Sequence, residues 1–452
     1  MSGIFEEFKY HGEKLLNPVL ETAAWLEDYE HGDDEGRIYW DILPGKDIAT
    51  NLTLTSRTSL YGGTAGIALF FLRLYRVTKD KRWLEKAEGG VKYLIAEDQG
   101  DRPYSDYGEG TLLGIPTGLF NGPTGGAYVS YLLYETTGIE TYKKYAIDTA
   151  QTLISSKNLS EKGSYWSGQI GILSDGGLVL FLIWLYEKTG NEEYLKTADD
   201  TGRYIASKAE ETDGGVRWQC MDSVAFGLGK NGYFPGFFYG TAGTGYILAK
   251  LYEHTRNDEY LRLGVKASEY LIKIADTSSD DKAALIRYND PYVPRMHYLG
   301  VCQGPIGTSR LFYELYKITD DKKYYEWILK LTEGVLYAGA PKIHSKGYWH
   351  TYCYCCGAAG MTEHFAEIYE LTGDKKYLEA AEDSAEVLIG DSNQDDGKRR
   401  WYTAWNRHAP DEVECWSGLY LGSAGCASSL LYLYNELNDK ADIGKYIEDP
   451  FK

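Results

Sequence analysis

The chain has 452 residues, 43% of them hydrophobic and 25% charged, which is enough to bury a large core in an ordinary globular fold. Its formal charge of −19 excludes nucleic acid and anionic membrane surfaces as natural partners, because neither polyanion is drawn to such a field. Seven cysteines, three of them within Cys353-Tyr354-Cys355-Cys356, are too few and too clustered for a secreted disulfide scaffold.

The first ten residues carry two acids and no apolar core, so no signal peptide is expected. The longest apolar run, 177–186, is half of what a spanning helix needs. These features predict a cytoplasmic protein without membrane insertion. The first element is a helix in which Leu15, Leu16, Val19, Leu20, Ala23 and Leu26 recur on one face.

A repeated pattern follows: Gly-x-x-Gly, then Leu-Tyr or Ile-Tyr eight residues after the second glycine. It begins at Gly63, Gly122, Ser174, Gly240, Gly304, Gly357 and Gly422, and only the third copy replaces its first glycine. A constant offset in seven copies marks a structural repeat. Each copy opens a helix that is apolar nearly all round, as in Ile67, Ala68, Leu69, Phe70, Phe71 and Leu72, and such a helix must be buried on every side. After a short polar break (Lys79-Asp80, Thr137-Gly138, Thr189-Gly190, Asp320-Asp321, Thr372-Gly373) comes a second helix with one apolar face, as in Trp83, Leu84, Ala87, Val91 and Leu94. Six outer helices lie between seven inner ones, and the N-terminal helix supplies the seventh. No run of period two appears, so the expected fold is all-α with negligible strand: one α/α toroid spanning 1–452.

Inner helices running the same way bring their N-termini, and the partial positive charge of their dipoles, to one rim. The two residues before each first glycine line that rim: Tyr61-Gly62, Phe120-Asn121, Ile172-Leu173, Phe238-Tyr239, Cys302-Gln303, Cys355-Cys356 and Tyr420-Leu421. Cysteine fills three of these fourteen places although it is only seven residues of 452, and no carboxylate appears. A single cysteine there reads as a small buried hydrophobe. Three on adjacent repeats point to zinc, which takes thiolates in tetrahedral sites and keeps an open fourth position when catalytic. Cys353, two residues earlier, is a candidate fourth ligand that would close the site and make it structural.

Cys302-Gln303-Gly304 and Cys355-Cys356-Gly357 resemble the Cys-x-Gly and Cys-His-Gly motifs of the LanC-like (lanthionine cyclase) family, and the seven glycine motifs extend the resemblance over nearly the whole chain. The resemblance implies a catalytic zinc on Cys302, Cys355 and Cys356, with Cys356 in the histidine's place. It implies a stand-alone cyclase that adds a peptide thiol to a dehydroamino acid, on a precursor peptide dehydrated by a separate dehydratase. Other family positions differ. Tyr239 stands where a histidine usually precedes the fourth-repeat glycine, and Tyr298 stands where an arginine is expected, with Arg295 and His297 nearby. The early-repeat aspartate has no counterpart, Asp175 being the nearest acid. Tyr239, His297 and Arg295 are therefore the candidates for proton handling and enolate stabilisation.

Three alternatives remain at this level: glutathione addition to dehydroamino acids in proteins, a zinc-stabilised peptide-binding module without catalysis, and an α/α-toroid glycosidase or sugar epimerase. The last should place paired acids at the rim, which has none. His364 and His408 read as structural or surface residues. Lys398-Arg399-Arg400 reads as a solvated loop with some capacity to meet an acidic leader peptide.

Overall fold

The computed structural model describes residues 2–45, 57–98, 118–220, 232–292, 295–404, 407–438 and 441–451. Fourteen helices are found among them. The inner ones are α2 (Thr64–Thr78), α4 (Pro123–Thr137), α6 (Asp175–Thr189), α8 (Thr241–Thr255), α10 (Pro305–Thr319), α12 (Ala358–Thr372) and α14 (Ser423–Leu437). The outer ones are α1 (Ser2–Glu27), α3 (Lys81–Glu97), α5 (Glu140–Ser155), α7 (Glu192–Ala206), α9 (Asp258–Ile274), α11 (Lys322–Tyr337) and α13 (Lys375–Gly390). Every inner helix starts inside its glycine motif and runs fifteen residues.

The polar breaks have one construction. The terminal threonine of an inner helix turns its hydroxyl back to the carbonyl four residues earlier, as Thr189 does to Leu185 at 2.6 Å. The next residue takes the left-handed conformation, at Lys79, Gly138, Gly190, Arg256, Asp320 and Gly373. An Asp or Asn then caps the outer helix in every break but the second, where Ile139 follows Gly138; Asn191, for example, accepts from the Glu193 N–H at 3.1 Å. Thr189 Oγ1 also accepts from the Asn191 N–H, so two residues end one helix and begin the next.

The two helix classes bury as their patterns predict. In α2 every residue from Thr64 to Leu74 is buried, whereas α7 buries one face through Tyr194, Thr197, Ala198, Thr201 and Ile205. Short two-stranded ladders of two or three residues per strand also occur, as in Glu210–Thr212 with Gly215–Arg217. They are too short to leave a period-two signal, which is why the sequence reading omits them.

The chain packs as two compact units. One comprises Met1–Asp101, Gly125–Ala146 and Thr351–Lys445. Within it α14 packs between α12 and α2, and α1 lies on α14 as the outer helix of the seventh repeat, burying Leu15, Val19, Ala23 and Leu26. A buried ion pair, Arg73 to Glu363 at 3.7 Å, joins α2 to α12, and Arg73 also donates to Ser428 Oγ of α14 at 2.7 Å. The other unit comprises Arg102–Thr124, Ile147–His350 and Tyr446–Lys452, and there α8 packs on α6 and α10.

Candidate metal centre

The residues before each inner helix fold into a tight rim loop. Its carbonyls accept from the first helical N–H groups: Thr241 N donates to Phe234 O at 3.0 Å, Ala358 N to Thr351 O at 2.8 Å, and Ser423 N to Trp416 O at 2.8 Å. In each case the acceptor lies seven residues back. The N–H groups that a helix N-terminus ordinarily leaves open are thus consumed by the chain itself. The second glycine of the motif is needed for the same loop at Gly66, Gly177, Gly243, Gly307 and Gly425. A Cβ at Gly243 would stand 1.8 Å from Phe237 O, and one at Gly425 would stand 1.8 Å from Leu419 O.

Neighbouring loops are tied into a belt by backbone hydrogen bonds. In the second unit Leu173 N donates to Phe238 O at 3.0 Å, and Phe238 N donates to Cys302 O at 2.8 Å. In the first unit Cys355 N donates to Tyr420 O at 2.9 Å, and Tyr420 N donates to Tyr61 O at 2.8 Å. Both belts fix the backbone of a cysteine, which pre-organises its side chain as a ligand.

All seven cysteines are thiols, with Cys302 and Cys355 buried and Cys356 half-exposed. Among the described residues, Cys302, Cys355 and Cys356 form the group of His, Cys, Asp and Glu side chains that could hold a metal ion. The sulfurs of Cys355 and Cys356 lie 3.5 Å apart. Two thiolates on a tetrahedral zinc, each at about 2.3 Å, are separated by about 3.8 Å, so the pair fits that ion with little movement. Cys353 is outside the group. Its sulfur is 3.2 Å from Thr351 Oγ1, which leaves the donor set at three.

Tyr239 lies in the second unit with its ring edge-on to Phe234 at 4.8 Å. It is buried, and it follows Phe238, whose N–H donates to the Cys302 carbonyl at 2.8 Å. Burial, with Tyr288, Cys302 and Tyr298 alongside, pushes its phenol well above the usual tyrosine value, so the hydroxyl keeps its proton. Tyr288 stacks on Tyr298 at 4.2 Å. The two positions at which this chain departs from the motif pattern, 239 and 298, therefore share one aromatic cluster, joined through Phe234 and Tyr288. The sequence reading missed Tyr288, which lies outside the glycine repeat.

His297 and Tyr298 are consecutive in a short strand paired with Tyr348–Trp349, so their side chains leave on opposite faces. His297 turns to Asp276 Oδ2 at 3.1 Å and to the Tyr292 hydroxyl, 3.1 Å from its Nδ1. Burial lowers its pKa while Asp276 acts against the shift. Arg295 is exposed near Tyr292. The structure therefore groups Tyr239 with Cys302 and groups His297 with a separate polar cluster.

Asp175 opens α6 fully buried and accepts from the N–H groups of Trp166, Ser167 and Gly168 and from Ser167 Oγ. These bonds account for it as a loop clamp. Lys398, Arg399 and Arg400 pair with Asp28, Glu21 and Asp395, so the basic cluster is already neutralised. Among the described residues, no helix is long and apolar enough to cross a membrane.

The family model described as lanthionine synthetase C-like protein matches residues 55–447. Nisin cyclase shares the fold, with a TM-score of 0.58 at 16% identity over 85% of this chain and 94% of that one. Weaker likenesses include the Lin0763 protein of Listeria innocua (TM-score 0.48, 14% identity, 96% of this chain and 99% of that one) and a cellobiose 2-epimerase from Bacillus thermoamylovorans (TM-score 0.47, 12% identity, 96% and 99%). No curated protein sequence matches the chain. The fold class is the all-α, α/α-toroid type expected from the repeats.

Proposed function

Because the chain belongs to the lanthionine synthetase C-like family, we propose that it is a zinc enzyme that closes thioether rings in a peptide. Its substrate is a peptide that already carries dehydroalanine or dehydrobutyrine together with a cysteine, and its product is lanthionine or methyllanthionine. The observation that carries this reading is the group of three thiols at equivalent places before α10 and α12. Cys302, Cys355 and Cys356 would hold the zinc, which when bound offers an open position and favours the thiolate of an incoming cysteine.

The addition forms a bond from sulfur to Cβ, moves the π pair onto Cα and its carbonyl as an enolate, and ends when Cα takes a proton. We assign that proton to the Tyr239 hydroxyl, which burial keeps protonated and which follows Phe238, the residue whose N–H holds the Cys302 carbonyl. His297 and Arg295 are the alternative donor and enolate partner. We read the seven repeats as one domain, supported by the stacking of Tyr61 on Tyr420 at 5.3 Å, which joins the first repeat to the last.

The test is incubation of the zinc-loaded protein with a dehydrated, cysteine-containing peptide, followed by thiol alkylation and mass spectrometry. Loss of the alkylatable thiol without a change in mass is the expected result. A glutathione adduct formed in preference would move the activity to addition of a free thiol. Zinc retention with no turnover would leave a binding module.

A further inference from the structure

Gly307, Arg310 and Tyr313 follow one another along one face of α10, each a turn beyond the last. Gly307 takes the Phe237 side chain, because a Cβ at 307 would stand 2.7 Å from the Cβ of Phe237. One turn on, the Arg310 guanidinium lies over the Phe237 ring, 5.2 Å from its centroid. The N–H groups of Phe237 and Phe238 donate to the Cys302 carbonyl at 2.9 and 2.8 Å. The backbone of a candidate ligand is thus tied to a ring that α10 seats.

Arg310 is itself held by a C-terminal segment far away in sequence. It is buried, its Nη1 meets Glu448 Oε1 at 3.4 Å and its Nη2 meets Asp449 Oδ2 at 3.0 Å, and both carboxylate side chains are buried as well. Phe451 packs on Tyr313 with ring centroids 4.5 Å apart, and its N–H donates to Asp449 Oδ1 at 3.1 Å. The segment Tyr446–Lys452 belongs to the same compact unit as α10, Phe237 and Cys302. A guanidinium at that depth keeps its place only while opposite charge balances it, and Glu448 and Asp449 supply that charge.

We propose that the segment 446–451 is a positioning strap for Cys302, acting through Arg310 and Phe237. Its carboxylates fix the guanidinium, the guanidinium fixes the Phe237 ring, and the N–H groups of Phe237 and Phe238 fix the Cys302 carbonyl. A metal ligand keeps its geometry when the residues behind it are locked by packing and hydrogen bonds in this way. The consequence for the metal rests on the reading of Cys302 as a zinc ligand. Arg310 is a positioning residue, with no ligand role assigned to it.

Glu448→Gln with Asp449→Asn removes both charges and keeps both shapes, and Asp449→Asn alone serves if the pair does not fold. In the zinc-free protein, hydrogen exchange at the Phe237 and Phe238 amides should then speed up at least about tenfold while the amides of α9 keep their wild-type rates, since a local opening separates the strap from a general loss of stability. Zinc affinity, read by competition with a chromophoric chelator, should fall about tenfold, the low side of what loss of a supporting contact costs a metal site. Unchanged exchange at Phe237 and Phe238, or exchange raised equally along α9, would overturn the proposal. Raised exchange with unchanged zinc affinity would overturn it too. If the wild-type chain holds no zinc, the metal reading falls, and the exchange comparison alone decides whether the strap holds the Cys302 carbonyl.

Discussion

The N–H of Tyr420 donates to the carbonyl oxygen of Tyr61 at 2.8 Å, joining the loop before the last inner helix to the loop before the first across more than 350 residues of sequence. The same bond recurs from Cys355 to Tyr420 and from Phe238 to Cys302, always from one repeat to the next. A candidate cysteine ligand is therefore fixed by its neighbours' backbone, and changes in a neighbouring loop should reach any metal held there.

Gly243 tests that dependence. A Cβ there would collide with Phe237 O, in the segment whose N–H groups hold the Cys302 carbonyl. Gly243→Ala should destabilise the fold by about 1–3 kcal/mol, the usual cost of overpacking. Gly390→Ala, which meets no atom within 4 Å, should stay within about 0.5 kcal/mol of wild type. Denaturant unfolding of the two variants checks the contrast, and equal stabilities would contradict the close-approach account of the glycine motif.

One zinc per chain is expected by elemental analysis. Cys302→Ala, Cys355→Ala and Cys356→Ala should each lose most of it, because a thiolate donor is removed from a set of three. Cys353→Ala should retain the metal, as its sulfur sits with Thr351. Loss of zinc in Cys353→Ala would make the site a closed four-thiolate one.

Tyr239→Phe should keep zinc and fold while slowing cyclisation at least about tenfold, the low side of what a positioned acid contributes. His297→Ala should change the rate little, since that ring faces Asp276 and Tyr292. The opposite pattern of rates, measured on one dehydrated peptide, would transfer the donor role to His297.

Glu314, buried on α10, supplies a pH signature. Burial, with Glu253 beside it, raises its pKa from 4.5 to about 7. A folded chain that keeps a proton released by the unfolded chain near 4.5 loses stability as pH rises from there, and the loss levels off above about 7. Glu253, lowered to about 2, contributes stability that disappears only as pH falls below 4.5. Unfolding midpoints followed against pH should therefore show a decline between about 4.5 and about 7 that Glu314→Gln removes. An unchanged slope in that variant would assign the decline to other groups.

Much of this molecule was written locally. The seven inner helices were legible because total burial demands apolar residues on every side, and the outer ones because burial of one face leaves a helical period. The breaks were legible because a left-handed residue followed by a capping Asp or Asn is a short-range device. Cys302, Cys355 and Cys356 were legible because the repeat gave each position an equivalent, and thiols stood out against it. What the sequence left open depends on contacts between distant segments. Cys353 falls outside the thiol group because its sulfur sits with Thr351, the separation of His297 from Tyr298 follows from strand alternation against Tyr348–Trp349, and Tyr288 joins the aromatic cluster only by stacking on Tyr298 and meeting Phe234. Neighbouring residues share sequence spacing with the three candidate ligands whichever way they point, and only packing decides which face each side chain takes.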